Sequence, residues 1–584
     1  MSLQTKEQNE RKGEAMKVVI VGGVAGGATA AARLRRLDEQ AEIVMVERTG
    51  YVSYANCGLP YYVGDVITDK RKLTLQSPKS FRERFDIDVR VRQEVIGINR
   101  AAKTVLVRNL EDGSEYEESY DSLILSPGAK AVKPDLPGIE DRRILTLRTV
   151  EDTFAMKQRA DELAEQGRTR AVVIGGGFIG LEAAENLLER GFDVTLLQRG
   201  NHVMPTLDYD MACEVHAYAR EHGLDLRLNQ SVNGFVADED ADELAVTTAA
   251  GDEYHAPLVV LAIGVTPDTR LAEEAGLELG IKKSIVVDKH MRTSDPAIFA
   301  VGDAVQVKNF VTGDDALISL AGPANKQGRI AADVICGRDS SFDGSQGSSV
   351  LKLFGMTIAA TGLTESAAQR AGIACDKAVT SSPSHATYYP GASNMTVKTV
   401  FEPESGRILG AQIVGFERVD KRIDVLATAI RARMTAADLE ELDLAYAPPY
   451  SSAKDPVNMA GFVIENVRTG LVAQHHWNDV ARLQQEGAQL LDVRTEGEFA
   501  RGHIEGAVNI PLDELRGRVK ELDPERTVYV NCHSGLRSYV ACRMLAGHGL
   551  ACSNLSGGYR FYALVQNDAA FDETPTHPCG VPIS

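Results

Sequence analysis

Long hydrophobic runs are missing from this sequence. The longest ones, such as Leu258 to Ile263, fall far short of the roughly 18 apolar residues that cross a bilayer, and no charged and then apolar leader opens the chain. We therefore expect neither membrane insertion nor secretion. Positive charge is also scarce, because 63 Lys and Arg stand against 82 Asp and Glu, a net charge of -19. That sign disfavours a protein that follows nucleic-acid phosphates, so any anionic ligand must bind in a local pocket.

Cysteine is sparse as well. Eight cysteines are scattered over 584 residues, far below the density of a disulfide scaffold, so we expect a protein of the reducing cytoplasm. Each cysteine then has to be judged by its own surroundings. They are Cys57, Cys213, Cys336, Cys375, Cys532, Cys542, Cys552 and Cys579.

The remaining composition is that of an ordinary globular protein, with 44% hydrophobic and 25% charged residues. At roughly 150 residues per domain, the length predicts about three to five domains. Runs typical of strands and helices alternate from Val18 and again from Ala171, which indicates two βαβ modules with parallel sheets. The predicted fold class is α/β. The predicted segments are a tail at 1–15, a first nucleotide domain at 16–145 and 266–340, a second at 146–265, an α+β domain at 345–470, a last α/β domain at 474–570 and a tail at 571–584.

A glycine-rich turn follows the first predicted strand. Gly22 permits a tight turn, Gly27 permits close packing of the next helix, and Glu47 closes the following strand, where it can accept hydrogen bonds from a ribose. Val24 stands where the usual pattern has its second glycine. The pattern predicts a dinucleotide whose pyrophosphate lies on the helix N-terminus. The expected binding residues are Gly22, Val24, Ala25, Gly27, Glu47 and Arg48.

The second glycine turn fits the dinucleotide pattern in full. Gly175, Gly177 and Gly180 stand in G-x-G-x-x-G spacing between a predicted strand and a predicted helix. The next strand ends in Gln198 and Arg199, and an arginine there favours a 2′-phosphate. We therefore expect NADPH to be accepted, while the choice between NADPH and NADH stays open. The expected binding residues are Gly175, Gly177, Phe178, Ile179, Gly180, Gln198 and Arg199.

Two nucleotide modules imply one tightly held cofactor and one exchangeable cofactor, which is the logic of a flavin reduced by a nicotinamide. Residues 293–304 (TSDPAIFAVGDA) agree with this interpretation. With the two turns, they make the chain resemble the FAD-dependent pyridine nucleotide-disulfide oxidoreductase family. The resemblance implies two Rossmann-like domains that bind FAD and NAD(P)H, with Asp303 against the ribityl chain of the flavin. No metal site is expected.

Cys57 lies in residues 53–62 (SYANCGLPYY) without a second cysteine nearby. Glutathione-reductase-like members of the family carry Cys-x4-Cys here, but Tyr62 stands at the second position. Cys57 must therefore complete its redox cycle with an external sulfur, as a mixed disulfide, or with oxygen species through a sulfenic acid. The related NADH oxidases and peroxidases have a histidine where this chain has Ala25, which argues against the oxygen route.

Residues 21–36 (VGGVAGGATAAARLRR) and 53–62 together resemble coenzyme A-disulfide reductases. The resemblance implies an entrance for coenzyme A, which is anionic. Arg33 and Arg36 lie three apart on one helix face, close enough to clamp one phosphate together. The expected entrance residues are Arg33, Arg36, Ser53, Tyr54 and Asn56.

Residues 384–391 and 444–455 match the same relatives and lie in the α+β domain. The resemblance implies that this domain forms a two-fold homodimer, in which tyrosines reach the cysteine of the other subunit. Tyr388 and Tyr446 are then expected to be proton donors or orienting hydroxyls for the departing thiolate. Tyr389 and Tyr450 are expected to be packing residues.

A second reactive cysteine stands near the end of the chain. Cys532 follows a predicted strand and precedes a helix, where backbone N–H groups and the helix dipole should favour its thiolate. With residues 490–499 and 502–511, the loop from Cys532 to Arg537 resembles a rhodanese domain. The resemblance implies a persulfide on Cys532, with its charge steadied by Arg537 and the loop amides. Phosphatases use Cys-x5-Arg, one residue longer, so a phosphate would fit poorly.

These features predict a cytoplasmic homodimeric flavoprotein. NAD(P)H would reduce FAD, and Cys57 would then reduce coenzyme A persulfide, a polysulfide or coenzyme A disulfide, releasing sulfide or a thiol. Cys532 would deliver or accept sulfur, and the partners would be small thiols and persulfides. Two alternatives stay open: an NAD(P)H oxidase or peroxidase that cycles Cys57 through a sulfenic acid, and a non-catalytic sulfur or redox sensor that signals through Cys532.

Overall fold

The computed structural model describes residues 15–571. The predicted tails, apart from Ala15 and Phe571, and Cys579 lie outside the described residues. The described chain forms two compact units, one of residues 15–197 with 231–345 and one of 198–230 with 346–571. None of its helices is long and apolar enough to span a membrane. The predicted α/β fold class is confirmed.

The first unit begins with a five-stranded parallel sheet. Four of its strands are largely buried apolar runs, as is usual when both faces of a parallel sheet are covered, and the edge strand Asp88–Val91 is half-buried. Helices pack on one face, and a three-stranded antiparallel sheet lies towards the other. The parallel strands, in spatial order, are Ile298–Ala300, Ser122–Leu125, Lys17–Val21, Glu42–Glu47 and Asp88–Val91. The helices are Ala25–Leu37, Leu59–Val63, Pro78–Phe85 and Ala321–Ile335, and the antiparallel strands are Gln93–Asn99, Thr104–Asn109 and Glu115–Ser119.

A second parallel sheet in this unit repeats the arrangement. Its central strand Arg170–Ile174 runs into a glycine turn and then into the helix Phe178–Glu189. In this unit its neighbours are Asp193–Leu197 and Leu258–Leu261, and Ile144–Leu145 pairs with the outer side of Leu258–Leu261. The remaining elements are the helices Val150–Glu165 and Arg270–Glu274 and the strands Val232–Asp238, Glu243–Thr248, Glu253–Ala256, Ala129–Ala131 with Val265–Pro267, and Val307–Lys308 with Asp315–Ala316.

The second unit contains a five-stranded antiparallel sheet with helices. The segment 198–230 belongs to this unit, although the predicted limits place it within 146–265. The strands, in spatial order, are Ser349–Leu353, Met356–Gly362, Ile408–Gly415, Asn394–Phe401 and Asp376–Pro383. The helices are Tyr209–Glu221, Glu365–Arg370, Val419–Arg431, Ala436–Glu441 and Pro456–Arg468, and a short strand is Asp225–Arg227.

The last part of this unit is a five-stranded parallel sheet. Helical segments connect these strands in the sequence, and each connection brings the chain back so that the next strand runs parallel to the others. The strands, in spatial order, are Ala473–His475, Cys552–Leu555, Val528–Asn531, Gln489–Asp492 and Val508–Asn509. The helices are Val480–Gln485, Glu496–Ala500, Leu512–Arg518, Leu536–Gly547 and Gly558–Phe571.

Candidate active sites

The first glycine turn has the geometry of a dinucleotide site. Gly22 has a φ of +97°, and a Cβ there would lie 2.1 Å from the Ser126 carbonyl oxygen. A Cβ on Gly27 would lie 1.9 Å from the carbonyl oxygen of Gly22. Val24 has a negative φ of -98°, so its backbone does not need glycine for a left-handed conformation.

The helix after this turn, Ala25–Leu37, begins without a side-chain cap, so its first amides are available to an anion. Glu47 is buried and accepts a hydrogen bond from the Gly23 amide at 2.8 Å. Its other oxygen accepts hydrogen bonds from Thr49, which orient the carboxylate at the strand end. Arg48 donates to Asp268 at 2.7 Å. These residues fit an adenine dinucleotide such as FAD.

The second glycine turn leaves an open space beside its central glycine. A Cβ on Gly175 or on Gly180 would collide with backbone oxygens, at 2.4 and 1.8 Å respectively. Gly177 has no described atom within 4 Å of such a Cβ, and the helix Phe178–Glu189 starts there without a side-chain cap. Phe178 and Ile179 form the partly exposed first turn of this helix. The turn therefore fits a pyrophosphate that approaches the backbone closely.

The two residues expected to select the nicotinamide belong to the second unit. Gln198 donates a hydrogen bond from its side-chain amide to the His202 carbonyl oxygen at 2.9 Å. Arg199 is exposed. Their contact with a nucleotide on the turn at Gly177 stays a prediction.

Asp303 is paired with Arg148, an arginine that no sequence motif identifies. Asp303 lies in a short turn after the strand Ile298–Ala300 and accepts a hydrogen bond from Arg148 Nη2 at 2.8 Å. Arg148 also donates to the Ala129 carbonyl oxygen. With the Asn56 amide oriented to satisfy both of its groups, Asn56 donates to the Arg148 carbonyl at 3.1 Å and accepts from Arg148 Nη1 at 3.0 Å. Arg148 therefore joins the segment of Cys57 to Asp303.

Cys57 lies in the short helical turn Asn56–Gly58 and is exposed. All seven described cysteines are free thiols. Burial by surrounding protein atoms raises the pKa of the Cys57 thiol, the charge of Glu182 raises it further, and the charge of Arg148 opposes both. The thiol therefore depends on nearby charges for its ionisation.

Two of the expected entrance residues have special conformations or surroundings. Ser53 has a φ of +47°, and its amide donates to the Gly23 carbonyl oxygen at 2.8 Å, which fixes the Cys57 segment against the first glycine turn. Burial and the charge of Glu47 raise the pKa of Tyr54 to about 12. Tyr54 is therefore a proton donor rather than a phenolate.

Only one of the two expected phosphate-binding arginines has a carboxylate partner in the described chain. Arg33 donates from Nε and Nη2 to Asp333 at 2.8 and 2.7 Å. Arg36 is exposed and forms no ion pair within residues 15–571. The shared clamp is therefore not assembled in this structure, and an anion would have to compete with Asp333 for Arg33.

The two expected tyrosines of the second unit come together. The hydroxyls of Tyr388 and Tyr446 lie 2.7 Å apart, and the side chains are 74% and 47% exposed. This hydrogen bond raises the pKa of Tyr388. Tyr389 and Tyr450, which were expected to be packing residues, are also exposed in the described chain. All four tyrosine side chains are thus accessible in the described chain.

Cys532 is the centre of a second site. It is buried at the end of the strand Val528–Asn531, and its Sγ accepts hydrogen bonds from the Gly535 amide at 3.1 Å and the Ser538 hydroxyl at 3.2 Å. Gly535 has a φ of +100°, which turns its amide into the loop before the helix Leu536–Gly547. Ser538 was not anticipated, because the motif ends at Arg537.

Arg537 has a carboxylate partner. Its Nη1 and Nη2 donate to the two oxygens of Glu498 at 2.8 and 2.7 Å. The guanidinium holds the pKa of Glu498 well below its usual range. A direct contact between Arg537 and a persulfide on Cys532 stays a prediction, since both terminal nitrogens face Glu498.

Comparisons with known proteins agree with this geometry. A family model described as pyridine nucleotide-disulphide oxidoreductase matches residues 16–328, its dimerisation domain matches 349–456, and a rhodanese-like domain matches 477–563. The chain is 35% identical over 449 residues to a coenzyme A disulfide reductase of Staphylococcus aureus, covering 76% of this chain and 99% of that one.

Two solved structures resemble nearly the whole chain. Reduced CoADR-RHD of Bacillus anthracis has a TM-score of 0.92 and 46% identity, covering 95% of this chain and 99% of that one. A NAD-dependent persulfide reductase from A. fulgidus has a TM-score of 0.87 and 39% identity, covering 94% and 100%.

Proposed function

Because the chain belongs to the pyridine nucleotide-disulphide oxidoreductase family, and is thus an FAD- and NAD(P)H-dependent oxidoreductase with a rhodanese-like domain, we propose that it reduces sulfur bound to coenzyme A through Cys57. The substrates are coenzyme A persulfide, a related polysulfide or coenzyme A disulfide, and the products are sulfide or a thiol. The observation that carries this proposal is a free Cys57 with no second cysteine in its segment, held by the Asn56–Arg148–Asp303 contacts.

FAD supplies the two-electron chemistry when it is bound. The residues at Gly22, Gly27 and Glu47 would hold its adenine half, and Asp303 would contact its ribityl chain. Arg148 orients both Asp303 and Asn56, so the cysteine segment and the flavin site share one positioning residue.

The Cys57 thiolate attacks one sulfur of the substrate S–S bond, which breaks as a mixed disulfide forms, and the other sulfur leaves as a thiolate or hydrosulfide. No internal cysteine is available as an alternative partner. Tyr388 and Tyr446 of the partner subunit would protonate or orient the departing thiolate in a homodimer. The 2.7 Å bond between the two hydroxyls supports this role, because one tyrosine can donate to substrate while it accepts from the other. The match to a dimerisation domain supports the homodimer.

Arg36 and the entrance residues Ser53 and Tyr54 would bind the coenzyme A moiety, with Arg33 joining them on release from Asp333. Cys532 would carry a transferable sulfur, which the Gly535 amide and the Ser538 hydroxyl would stabilise as an anion.

Arg199 would bind the 2′-phosphate of NADPH. The free state of the seven described cysteines supports work in a reducing cytoplasm.

The proposal is tested by anaerobic reduction of the purified holoprotein with NADPH, followed by coenzyme A persulfide. We expect the flavin absorbance to return and sulfide to be released in the wild type. Cys57→Ser should lower sulfide release by at least about a thousandfold, because no nucleophile remains for the mixed disulfide. Cys375→Ser is the matched control, since Cys375 is a free thiol of the antiparallel-sheet region, and it should behave as the wild type.

Cys532→Ser separates the two sulfur sites. It should retain reduction of free coenzyme A persulfide and lose transfer of sulfur from thiosulfate. NADPH consumption that requires air and does not change when any sulfur compound is added would contradict the proposal and favour an oxidase. If neither oxygen nor a sulfur compound supports NADPH consumption, the result would contradict the proposal and favour the non-catalytic sensor.

A further inference from the structure

The two loops that carry Tyr388 and Tyr446 meet at Ser451. The Ala386 amide, two residues before Tyr388, donates to the Ser451 carbonyl oxygen at 3.1 Å. The Ser451 amide donates to the Ala447 carbonyl oxygen at 3.1 Å, which closes a turn directly after Tyr446. Ser451 therefore contacts one loop through its carbonyl and shapes the other through its amide.

The side chain of Ser451 is bound to a buried ion pair. Arg422 Nη2 donates to Asp455 Oδ2 at 3.0 Å, and the two side chains are 1% and 3% exposed. The Ser451 hydroxyl donates to the same Asp455 oxygen at 2.6 Å and accepts from Arg422 Nη2 at 3.0 Å. Hydrogen bonds to ionised groups are stronger than bonds between neutral groups. The hydroxyl is thus fixed from two sides.

Both partners of this hydroxyl belong to helices. Arg422 lies in the first turn of the helix Val419–Arg431. Asp455 caps the helix Pro456–Arg468, and its Oδ1 accepts a hydrogen bond from an amide of the first turn at 3.0 Å. Because loops are more mobile than the elements they connect, the ion pair gives Ser451 a reference that the loops themselves lack.

The first of these helices also anchors the Tyr446 loop at a second point. Arg418, directly before Val419–Arg431, donates from Nη2 to the Pro449 carbonyl oxygen at 2.6 Å. Its guanidinium lies 5.1 Å from the centre of the Tyr450 ring, within the range of a cation–π contact. The loop is therefore anchored to the helix in addition to its contact with the buried ion pair.

We propose that Ser451 is a positioning residue that sets the distance between the Tyr388 and Tyr446 hydroxyls. The ion pair of Arg422 and Asp455 fixes its hydroxyl, its carbonyl holds one tyrosine loop and its amide holds the other. Because both tyrosine side chains are exposed, packing of the rings does not set the 2.7 Å distance, and the loop backbones must. A hydrogen bond weakens steeply when its geometry departs from the ideal, so a small shift between the loops would break the pair. The inference rests on the role that the proposed function gives to the two tyrosines.

The first test needs no sulfur substrate. N-acetylimidazole acetylates accessible tyrosine hydroxyls, and tandem mass spectrometry of peptides from the treated holoprotein measures each site. The bond to Tyr446 raises the pKa of Tyr388, so its loss in Ser451→Ala should make acetylation of Tyr388 about threefold faster at mildly alkaline pH. Tyr389, which is exposed and outside the pair, should keep its rate. An unchanged ratio of the Tyr388 rate to the Tyr389 rate would overturn the proposal, even if both rates rose.

The second test is a double-mutant cycle with Tyr446→Phe. Ser451→Ala should slow the turnover of coenzyme A disulfide about tenfold and leave the rate at which NADPH reduces the flavin unchanged. In the Tyr446→Phe background, where the pair is already broken, the same Ser451→Ala change should slow turnover less than about twofold. An equal loss in both backgrounds would overturn the proposal, because Ser451 would then act independently of the tyrosines.

Ser452→Ala is the matched control. The Ser452 hydroxyl is also buried, but it has no hydrogen-bond partner among the described residues, so this variant should equal the wild type in both tests. If Tyr446→Phe turned over coenzyme A disulfide at the wild-type rate, the role of the tyrosines in the proposed function would fail. The acetylation ratio would still decide whether Ser451 positions the pair, so the two failures are distinguishable.

Discussion

At the scale of single residues, Arg148 has the largest influence on the Cys57 thiol among the groups that favour its ionisation. The glycine turns could be predicted from sequence, because each lies between a strand and a helix in fixed spacing. Arg148 could not, since no motif surrounds it and its partner Asp303 is 155 residues away. Glu182 and Glu498 were missed for the same reason. Side chains that meet only through the fold leave no local pattern.

We therefore expect Arg148→Gln to slow alkylation of Cys57 at neutral pH by about threefold to tenfold. Loss of the guanidinium charge raises the pKa of the thiol, so less thiolate is present. The measurement is the rate at which iodoacetamide alkylates Cys57 in the reduced holoprotein, followed by peptide mass spectrometry. Arg142→Gln changes an arginine of the same unit that pairs with Asp242, and it should leave the rate unchanged. Equal rates in all three proteins would show that Arg148 does not tune Cys57.

At the scale of elements, a buried ion cluster joins segment 198–230 to the antiparallel sheet. Lys398, on the strand Asn394–Phe401, is fully buried, and its Nζ lies 2.8 Å from Asp210, 3.0 Å from Glu365 and 3.1 Å from Asp208. The opposite charges around Lys398 outweigh burial and raise its pKa. This cluster links the segment to the antiparallel sheet of the second unit. The ion pair of Lys398 with Asp210 joins residues 188 positions apart in the sequence, so no local pattern could predict it.

Lys398→Met should lower the melting temperature of the second unit strongly at neutral pH. Removing one partner of a buried ion pair leaves the carboxylates uncompensated, at a cost of about 3–5 kcal/mol. Lys352→Met, the same change at an exposed position of the strand Ser349–Leu353, is the control and should have little effect. Thermal unfolding followed by circular dichroism checks both. A melting temperature equal to that of the control would contradict the role of the cluster.

The same ion cluster makes the stability of the folded protein depend on pH under acidic conditions. Burial favours protonation of Asp208, but the charge of Lys398 and the amides of Glu365 and Ser366 prevail and lower its pKa to about 2. Because the unfolded value is about 3.9, the stabilisation is complete above that value and is lost as the pH falls through about 2. Without Lys398 the pKa of Asp208 rises, so acid unfolding of the variant should begin at a higher pH.

At the scale of the whole molecule, the sequence identified the architecture and the chemistry better than the details of either site. The family, the rhodanese-like domain, FAD and NAD(P)H were predicted from the glycine turns, the Gly302-Asp303 segment and the loop after Cys532, and are confirmed by the comparisons. The pairing of Tyr388 with Tyr446 and of Arg537 with Glu498 needed coordinates. The identity of the sulfur substrate stays a prediction, because it depends on an entrance in which Arg33 is paired with Asp333 and does not join Arg36 in one phosphate clamp.

The central claim is that Cys57 exchanges disulfide bonds with a sulfur of coenzyme A. Its most direct test is peptide mass spectrometry of the protein isolated anaerobically without added thiol and then denatured. We predict coenzyme A attached by a disulfide to the peptide that contains Cys57, and its loss when NADPH is added before denaturation. A Cys57 peptide that is free of coenzyme A, or that carries only oxygen adducts which NADPH removes, would contradict the account.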